Sequence, residues 1–143
     1  MVKEKSINVL LIYPTIYKVT GLPVGLASIC AVVKSEGHNC KIFETTFYDS
    51  CKDDAPEFTQ QHETRYDRLM SKQISDEDEI EHLEANHSDL FADLEDLLND
   101  YKPDLVGITI LEPNYSIVCD VMEFIKDKRP NLPIAAGGVF PIV

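Results

Sequence analysis

A nearly continuous run of β-forming residues lies near the start of the chain, at residues 7–13. Such a run, in which polar and apolar residues do not alternate, is typical of a strand buried on both faces of a parallel sheet. Pro23 suits the first position of a helix, apolar residues recur at helical spacing over residues 22–33, and Gly37 suits a left-handed C-terminal cap. A short second strand follows at residues 39–44. The first third of the chain therefore predicts a right-handed β-α-β unit.

The same alternation of strand-like and helix-like segments resumes near residue 88. The predicted elements are a helix that begins after the N-cap Ser88 and ends at Lys102-Pro103, a strand at residues 104–111, a helix that opens at Pro113-Asn114 and ends before Pro130, and a strand at residues 133–138. This order predicts an α/β fold with a doubly wound parallel sheet. Sheets of this class usually continue for another strand and helix, so we expect the chain to be the front part of a longer protein, truncated after its fourth strand.

The acidic residues are concentrated in the middle of the chain. Residues 44–104 hold 19 of the 25 acidic residues and 5 of the 13 basic ones, which gives this stretch a net charge of −14 and the remainder +2. We interpret residues 1–143 as one domain, with its core at residues 6–44 and 88–141 and an acidic, largely helical insertion at residues 45–87. The concentration of negative charge and the lack of a basic stripe argue against binding to nucleic acid or to an anionic membrane.

Run lengths and cysteine spacing exclude other classes. No apolar run approaches the roughly 20 residues of a membrane span, and the seven-residue run at the start is not followed by the small-residue cleavage site of a signal peptide. The four cysteines form neither a CxxC pair nor a metal-ligand spacing with histidine; they are Cys30, Cys40, Cys51 and Cys119. We therefore expect a cytoplasmic protein with reduced cysteines and no metal site.

In an open parallel sheet the ligand lies at the carboxyl ends of the strands, which here are residues 13–15, 109–112 and 137–138. These segments hold no acid–base pair and no nucleophile beside a base, which favours ligand binding over catalysis. The glycines after the first strand do not have the G-x-G-x-x-G spacing of a dinucleotide site. Residues 18–21 keep an FMN-binding, flavodoxin-like electron carrier open as an alternative, and the acidic insertion keeps a non-catalytic interaction or sensor module open.

Two short motifs follow neighbouring strands: Thr109-Ile110-Leu111 after the third and Gly137-Gly138 after the fourth, with 25 residues between them. In these motifs and in their frame, residues 6–44 and 88–141 resemble the N-terminal cobalamin-binding domain of cobalamin-dependent radical S-adenosylmethionine enzymes. That superfamily includes the anaerobic magnesium-protoporphyrin IX monomethyl ester oxidative cyclases and many methyltransferases. Cobalamin-binding domains generally carry D-x-H-x-x-G after the first strand, S-x-L after the third and G-G after the fourth. The chain resembles the last two, with Thr109 in place of serine.

The resemblance implies a flavodoxin-like or Rossmann-like domain that binds cobalamin where strands one, three and four end. The Thr109 hydroxyl would hydrogen-bond a nitrogen of the dimethylbenzimidazole tail, and Gly137-Gly138 would leave room for this flat tail. The D-x-H-x-x-G motif is absent, and Lys18 stands at the position of its histidine, so the resemblance implies no histidine on the cobalt. The cofactor-binding residues implied in this way are Tyr13, Pro14, Thr15, Tyr17, Leu22, Pro23, Gly25, Thr109, Leu111, Glu112, Asn114, Gly137, Gly138 and Phe140.

The resemblance also implies a further, C-terminal domain. That domain would hold a [4Fe–4S] cluster on a CxxxCxxC motif and would cleave S-adenosylmethionine to a radical. The present sequence contains no such motif. We therefore expect the chain to bind cobalamin as part of a larger methyltransferase or oxidative cyclase, and to carry no catalytic residues of its own.

Overall fold

The computed structural model of the chain describes residues 5–15, 24–46, 48, 88–111 and 114–138. Within these ranges, strands and helices alternate along the chain. In chain order they are β1 (Asn8–Tyr13), α1 (Val24–Ser35), β2 (Asn39–Glu44), α2 (Leu90–Tyr101), β3 (Leu105–Thr109), α3 (Tyr115–Lys128) and β4 (Ile134–Gly137). None of these described helices combines the length and the apolar character that crossing a membrane requires.

The strands of the described residues form one parallel sheet in the order β2-β1-β3-β4. From β1 the chain moves outward to β2, returns to place β3 on the other side of β1, and then moves outward to β4. The winding therefore reverses between β1 and β3, and open α/β sheets bind their ligands at the carboxyl ends of the strands beside such a switch point. This order is the flavodoxin-like one, so the predicted doubly wound parallel sheet is confirmed.

Each face of the sheet carries its own hydrophobic cluster. Successive residues of β1 point to opposite faces. Leu10 and Ile12 pack in the larger cluster with α2 and α3, whereas Val9 and Leu11 pack in the smaller cluster with α1. All four side chains are buried, and Leu10 and Ile12 have no exposed surface. The apolar run at residues 7–13 thus contains the central strand that its pattern predicts.

Helix α1 covers only part of its face of the sheet. Its buried side chains, Leu26 and Cys30, pack against β1 and β2. The same face of β4 carries Ala135, because Ala135 is paired with Gly107, which is paired in turn with Leu11. Ala135 is exposed. The α1 face of the sheet is therefore open at β4 in the described part of the chain.

The ends of the helices agree with the sequence prediction except at the start of α2. Gly37 has a φ of 85°, so α1 ends with a left-handed residue as predicted. Helix α2 ends before Lys102, as predicted, and the φ of 48° at Lys102 shows that this residue is left-handed as well. The predicted N-cap Ser88 is wrong, because Asp89 takes this position: its carboxylate accepts hydrogen bonds from the N–H groups of Phe91 at 2.8 Å and Ala92 at 3.4 Å. An N-cap side chain must reach the second or third helical N–H, and Ser88 lies one residue too early to do so.

Both ends of the segment predicted as an insertion meet at helix α2. Tyr48 is buried, and its hydroxyl donates to Oδ2 of Asp93 over 2.8 Å. The Ser88 hydroxyl donates to the same oxygen over 2.5 Å. Residue 47 and residues 49–87 lie outside the described residues, so the helical interpretation of the insertion stays a prediction.

Candidate functional site

Three positions line up at the switch point, one from each of three neighbouring strands. Thr109 of β3 is paired with Gly137 of β4, and Tyr13 of β1 directly follows the paired residues Ile12 and Ile108. Tyr13 packs on the α1 face with the smaller hydrophobic cluster. Because neighbouring strands lie about 4.8 Å apart, the row from Tyr13 through Thr109 to Gly137 is about 10 Å wide.

Two residues earlier, the same face carries very small residues on β3 and β4 and a leucine on β1. Leu11 is paired with Gly107, and Gly107 is paired with Ala135. The two-residue alternation of a strand puts Gly107 on the face of Thr109, and Ala135 on the face of Gly137. These four residues of β3 and β4 form a low surface, which we call the crevice floor. A Cβ added at Gly107 would lie 2.7 Å from Cδ2 of Leu11, so the leucine covers this glycine and the part of the floor open to a flat group lies at Thr109, Ala135 and Gly137.

The crevice floor is accessible and carries one hydroxyl group, that of Thr109. A Cβ added at Gly137 would meet no described atom within 4 Å, and both Ala135 and Gly137 are exposed. The Thr109 side chain is half-buried, and its hydroxyl forms no hydrogen bond with the described part of the chain. The remaining surface of the floor is backbone and methyl groups. A ligand with a flat apolar body and one hydrogen-bonding atom fits these properties.

The two adjacent glycines have different structural constraints. Gly138 has a φ of 113°, and a Cβ at this position would overlap the carbonyl oxygen of Ile110 and lie 3.1 Å from its nitrogen. A side chain at Gly138 is therefore incompatible with the backbone. Gly137 has no such constraint, since the space beside its Cα is empty in the described chain. The fold therefore requires glycine at 138, whereas at 137 the described residues leave room for a side chain.

Three other predicted site residues are buried below the crevice. Pro14 is fully buried, and the exposed fractions of Thr15 and Asn114 are 5% and 3%. The Asn114 side chain donates from Nδ2 to the carbonyl oxygen of Pro14 over 2.5 Å and accepts at Oδ1 from the N–H of Leu111 over 2.7 Å. These contacts join the loop after β1 to the loop after β3. The structure therefore gives these residues a place in the frame of the crevice, and direct contact with a ligand stays a prediction for them.

The remaining predicted site residues lie at the rim or outside the described residues. Leu111 is half-exposed directly after β3, and Gly25 is exposed in the first turn of α1. A Cβ at Gly25 would meet no described atom within 4 Å, so the backbone there is open to approach. The predicted site residues that lie outside the described residues are Tyr17, Leu22, Pro23, Glu112 and Phe140.

The sequence interpretation missed three residues that the site depends on. Gly107 and Ala135 belong to the crevice floor, and Thr45, which is fully buried, hydrogen-bonds the loop after β1. The first two could have been found by counting back two residues from Thr109 and Gly137, since such residues share a face of a strand. Thr45 gives no sequence signal, because its contact depends on how the end of β2 lies beside β1.

The Cys40 thiol, whose pKa is shifted, lies away from the crevice. Burial between α1 and β2 raises the pKa of the Cys40 thiol to about 11, and the neighbouring Cys30 thiol adds to the shift. Cys30, Cys40 and Cys119 are free, as predicted, and Cys51 lies outside the described residues. Within the described ranges, no group of three or more His, Cys, Asp or Glu could hold a metal ion. The described crevice is thus suited to binding a flat ligand through shape and one hydroxyl.

Comparison with known protein families gives this crevice a context. The family model of the B12 binding domain matches residues 17–143, which include β3, β4 and all of the crevice floor. No curated protein and no solved structure matches the chain at a significant level. The family match covers most of the sequence and agrees with the flavodoxin-like strand order. The chain therefore belongs to the family of B12-binding domains.

Proposed function

We propose that the chain binds cobalamin with the dimethylbenzimidazole tail of the cofactor against the crevice floor. The observation that carries this proposal is the empty space beside Gly137, next to the Thr109 hydroxyl, at the switch point of a B12-binding domain. A flat aromatic ring needs a low surface, and the exposed Ala135 extends that surface along β4. The residues of the floor therefore fit this cofactor.

Thr109 orients the tail in this proposal. Its hydroxyl donates a hydrogen bond to a ring nitrogen of the tail, which would otherwise lose its bond to water on entering the crevice. A buried polar atom that is left without a partner costs about 1–3 kcal/mol, so one hydroxyl is enough to favour a single orientation. When bound, cobalamin supplies organometallic chemistry such as methyl transfer, and the protein supplies orientation.

We also propose that the chain is the cobalamin-holding domain of a radical S-adenosylmethionine enzyme of the methyltransferase or oxidative cyclase type. Two sequence features support this: the resemblance to such domains, and the absence of the D-x-H-x-x-G motif that places a histidine on the cobalt. In this proposal the [4Fe–4S] cluster and S-adenosylmethionine belong to a further domain. A CxxxCxxC motif in the reading frame beyond Val143 would support this assignment, and a stop codon directly after Val143 would contradict it.

Retention of cobalamin after desalting tests the first proposal. The protein is incubated with hydroxocobalamin, desalted, and measured by absorbance for bound cofactor. We expect the wild type to retain close to one equivalent and Gly137→Val to retain none, because the valine side chain would fill the crevice. Ala136→Val is the matched control: it adds bulk to the same strand on the opposite face and should retain cobalamin.

The outcomes separate the proposal from its alternatives. A wild type that retains no cobalamin overturns the proposed function. Equal retention by the wild type and Gly137→Val shows that the tail lies elsewhere. Retention of FMN in the same assay, with no retention of cobalamin, would favour the flavin-binding electron carrier. Retention of neither cofactor would favour a non-catalytic interaction module.

A further inference from the structure

The path of the chain after β1 is fixed by buried side chains from the loops on either side of it. On the β2 side, the Thr15 N–H donates to Oγ1 of Thr45 over 2.7 Å, and Oγ1 of Thr45 donates to the carbonyl oxygen of Thr15 over 3.0 Å. The Thr45 N–H also donates to the carbonyl oxygen of Tyr13 over 3.3 Å. One threonine therefore holds both polar backbone groups of Thr15.

On the β3 side, Asn114 holds the next carbonyl group. Its Nδ2 donates to the oxygen of Pro14, and its Oδ1 accepts from the N–H of Leu111. Asn114 occupies the N-cap position of α3, yet its side chain makes no capping hydrogen bond. Asparagine is among the best N-cap residues, and here its side chain binds two loops instead of the helix. The amide is thus used to join the carboxyl ends of β1 and β3.

We infer that Thr45 and Asn114 are positioning residues for the cobalamin site. They hold Pro14 and Thr15 from opposite sides, and so fix the direction of the chain where it leaves β1. Both side chains are buried, Thr45 being 0% exposed and Asn114 3% exposed, and the inferred role needs no contact between them and the ligand. Their effect on binding is transmitted through the backbone. This inference rests on the proposed function.

A loop that already has its bound shape gives up less conformational freedom when the ligand arrives. The Thr45 and Asn114 bonds restrain the backbone of residues 13–15 without any ligand contact. Removing the hydrogen bonds of either side chain would let residues 13–15 leave this conformation in the free protein. Cobalamin would then have to order them again, and we expect its Kd to rise about tenfold.

The opposite edge of the sheet offers a matched control. Asn8 is also a bridging asparagine: its Nδ2 donates to the carbonyl oxygen of Tyr101 over 3.0 Å, and its Oδ1 accepts from Nδ2 of Asn39 over 2.9 Å. Asn8 lies at the start of β1, whereas Asn114 lies beyond the carboxyl end of β3. Asn8→Ala and Asn114→Ala therefore remove similar bonds at opposite edges of one sheet.

The test combines two measurements on these variants. The first is amide hydrogen exchange at Thr15 in the free protein, a group that Asn114 does not contact. The second is the Kd for hydroxocobalamin. We expect Asn114→Ala to raise both the exchange rate at Thr15 and the Kd about tenfold. Asn8→Ala should lower the Tm and leave both quantities within about twofold of the wild type.

A purely structural role for Asn114 would give a different pattern. In that case only the Leu111 N–H would exchange faster, the Kd would match that of Asn8→Ala, and the inference would be overturned. If Asn114→Ala does not fold, Thr45→Val and Thr45→Ser decide: valine should raise the Kd, and serine, which keeps the hydroxyl, should restore it. Equal Kd values for these two variants would also overturn the inference.

Failure of the proposed function can be told apart from failure of this inference. A wild type that does not bind cobalamin overturns the proposed function, and the role of Asn114 in that site falls with it. Exchange at Thr15 then still decides whether Asn114 fixes the loop after β1. A wild type that binds cobalamin with an unchanged Kd in Asn114→Ala leaves the proposed function intact and overturns the inference alone.

Discussion

The substitution Gly138→Ala should test the stability of the fold separately from the shape of the crevice floor. Gly138 has a φ of 113°, a backbone conformation that is strained for any residue with a Cβ. The new Cβ would also overlap the carbonyl oxygen of Ile110. Backbone strain of this kind costs about 1–3 kcal/mol, and overpacking against rigid backbone costs a similar amount. We therefore expect Gly138→Ala to lower the free energy of unfolding by about 3 kcal/mol and the Tm by on the order of 10 °C.

Gly137→Ala is the matched comparison, because it adds the same atom one residue earlier. No atom of the described residues would lie within 4 Å of a Cβ at Gly137, so the fold should tolerate the methyl group. Replacing glycine by alanine at a compatible position typically stabilises a protein by about 0.4–1 kcal/mol. Thermal and urea unfolding of both variants would test the difference. Equal stabilities within about 0.5 kcal/mol would refute the reasoning from φ and close approach.

Three further substitutions and conditions have expected outcomes. Asp89→Ala should lower the free energy of unfolding by about 1 kcal/mol through loss of the N-cap of α2, whereas Ser88→Ala should cost less; a larger loss for Ser88→Ala in thermal unfolding would contradict the cap assignment. Thr109→Val should weaken cobalamin binding roughly 10- to 100-fold with the Tm unchanged, and Thr109→Ser should bind like the wild type, as measured by titration. The pKa of Cys40 is raised from 9.0 to about 11, so above pH 9 the unfolded chain releases this proton while the folded chain keeps it, and stability should fall between about pH 9 and 11. Cys40→Ala should remove this part of the pH dependence in urea unfolding; an unchanged profile would argue against the shift.

The fold class could be predicted because each element has a local pattern. The apolar run at residues 7–13 indicates a strand buried on both faces, and Gly37 marks the end of a helix by its tolerance of positive φ. The start of α2 was assigned one residue too early because Ser88 and Asp89 are both good capping residues. Their order along the chain does not say which side chain reaches the free N–H groups.

The candidate site could be predicted only in part. Thr109 and Gly137 were found as separate motifs, and the structure pairs them on neighbouring strands. The role of Asn114 could not be predicted, since it requires the loop after β1 to lie within reach of the loop after β3. That proximity follows from the strand order, which no local pattern encodes. The same holds for Thr45, whose partner Thr15 lies 30 residues away along the chain.

The shared contact of Tyr48 and Ser88 with Asp93 has a consequence for how this domain can change in evolution. The side chains of Tyr48 and Ser88 meet at one carboxylate oxygen, so this contact holds together the two points of the chain that residues 49–87 connect. When the two ends of a loop are held together, each doubling of its length costs only about 0.6 kcal/mol in closure entropy. The closure entropy therefore changes little when residues are added or removed between Tyr48 and Ser88. We therefore expect the length of this segment to vary in evolution more readily than the length of the strands that form the crevice.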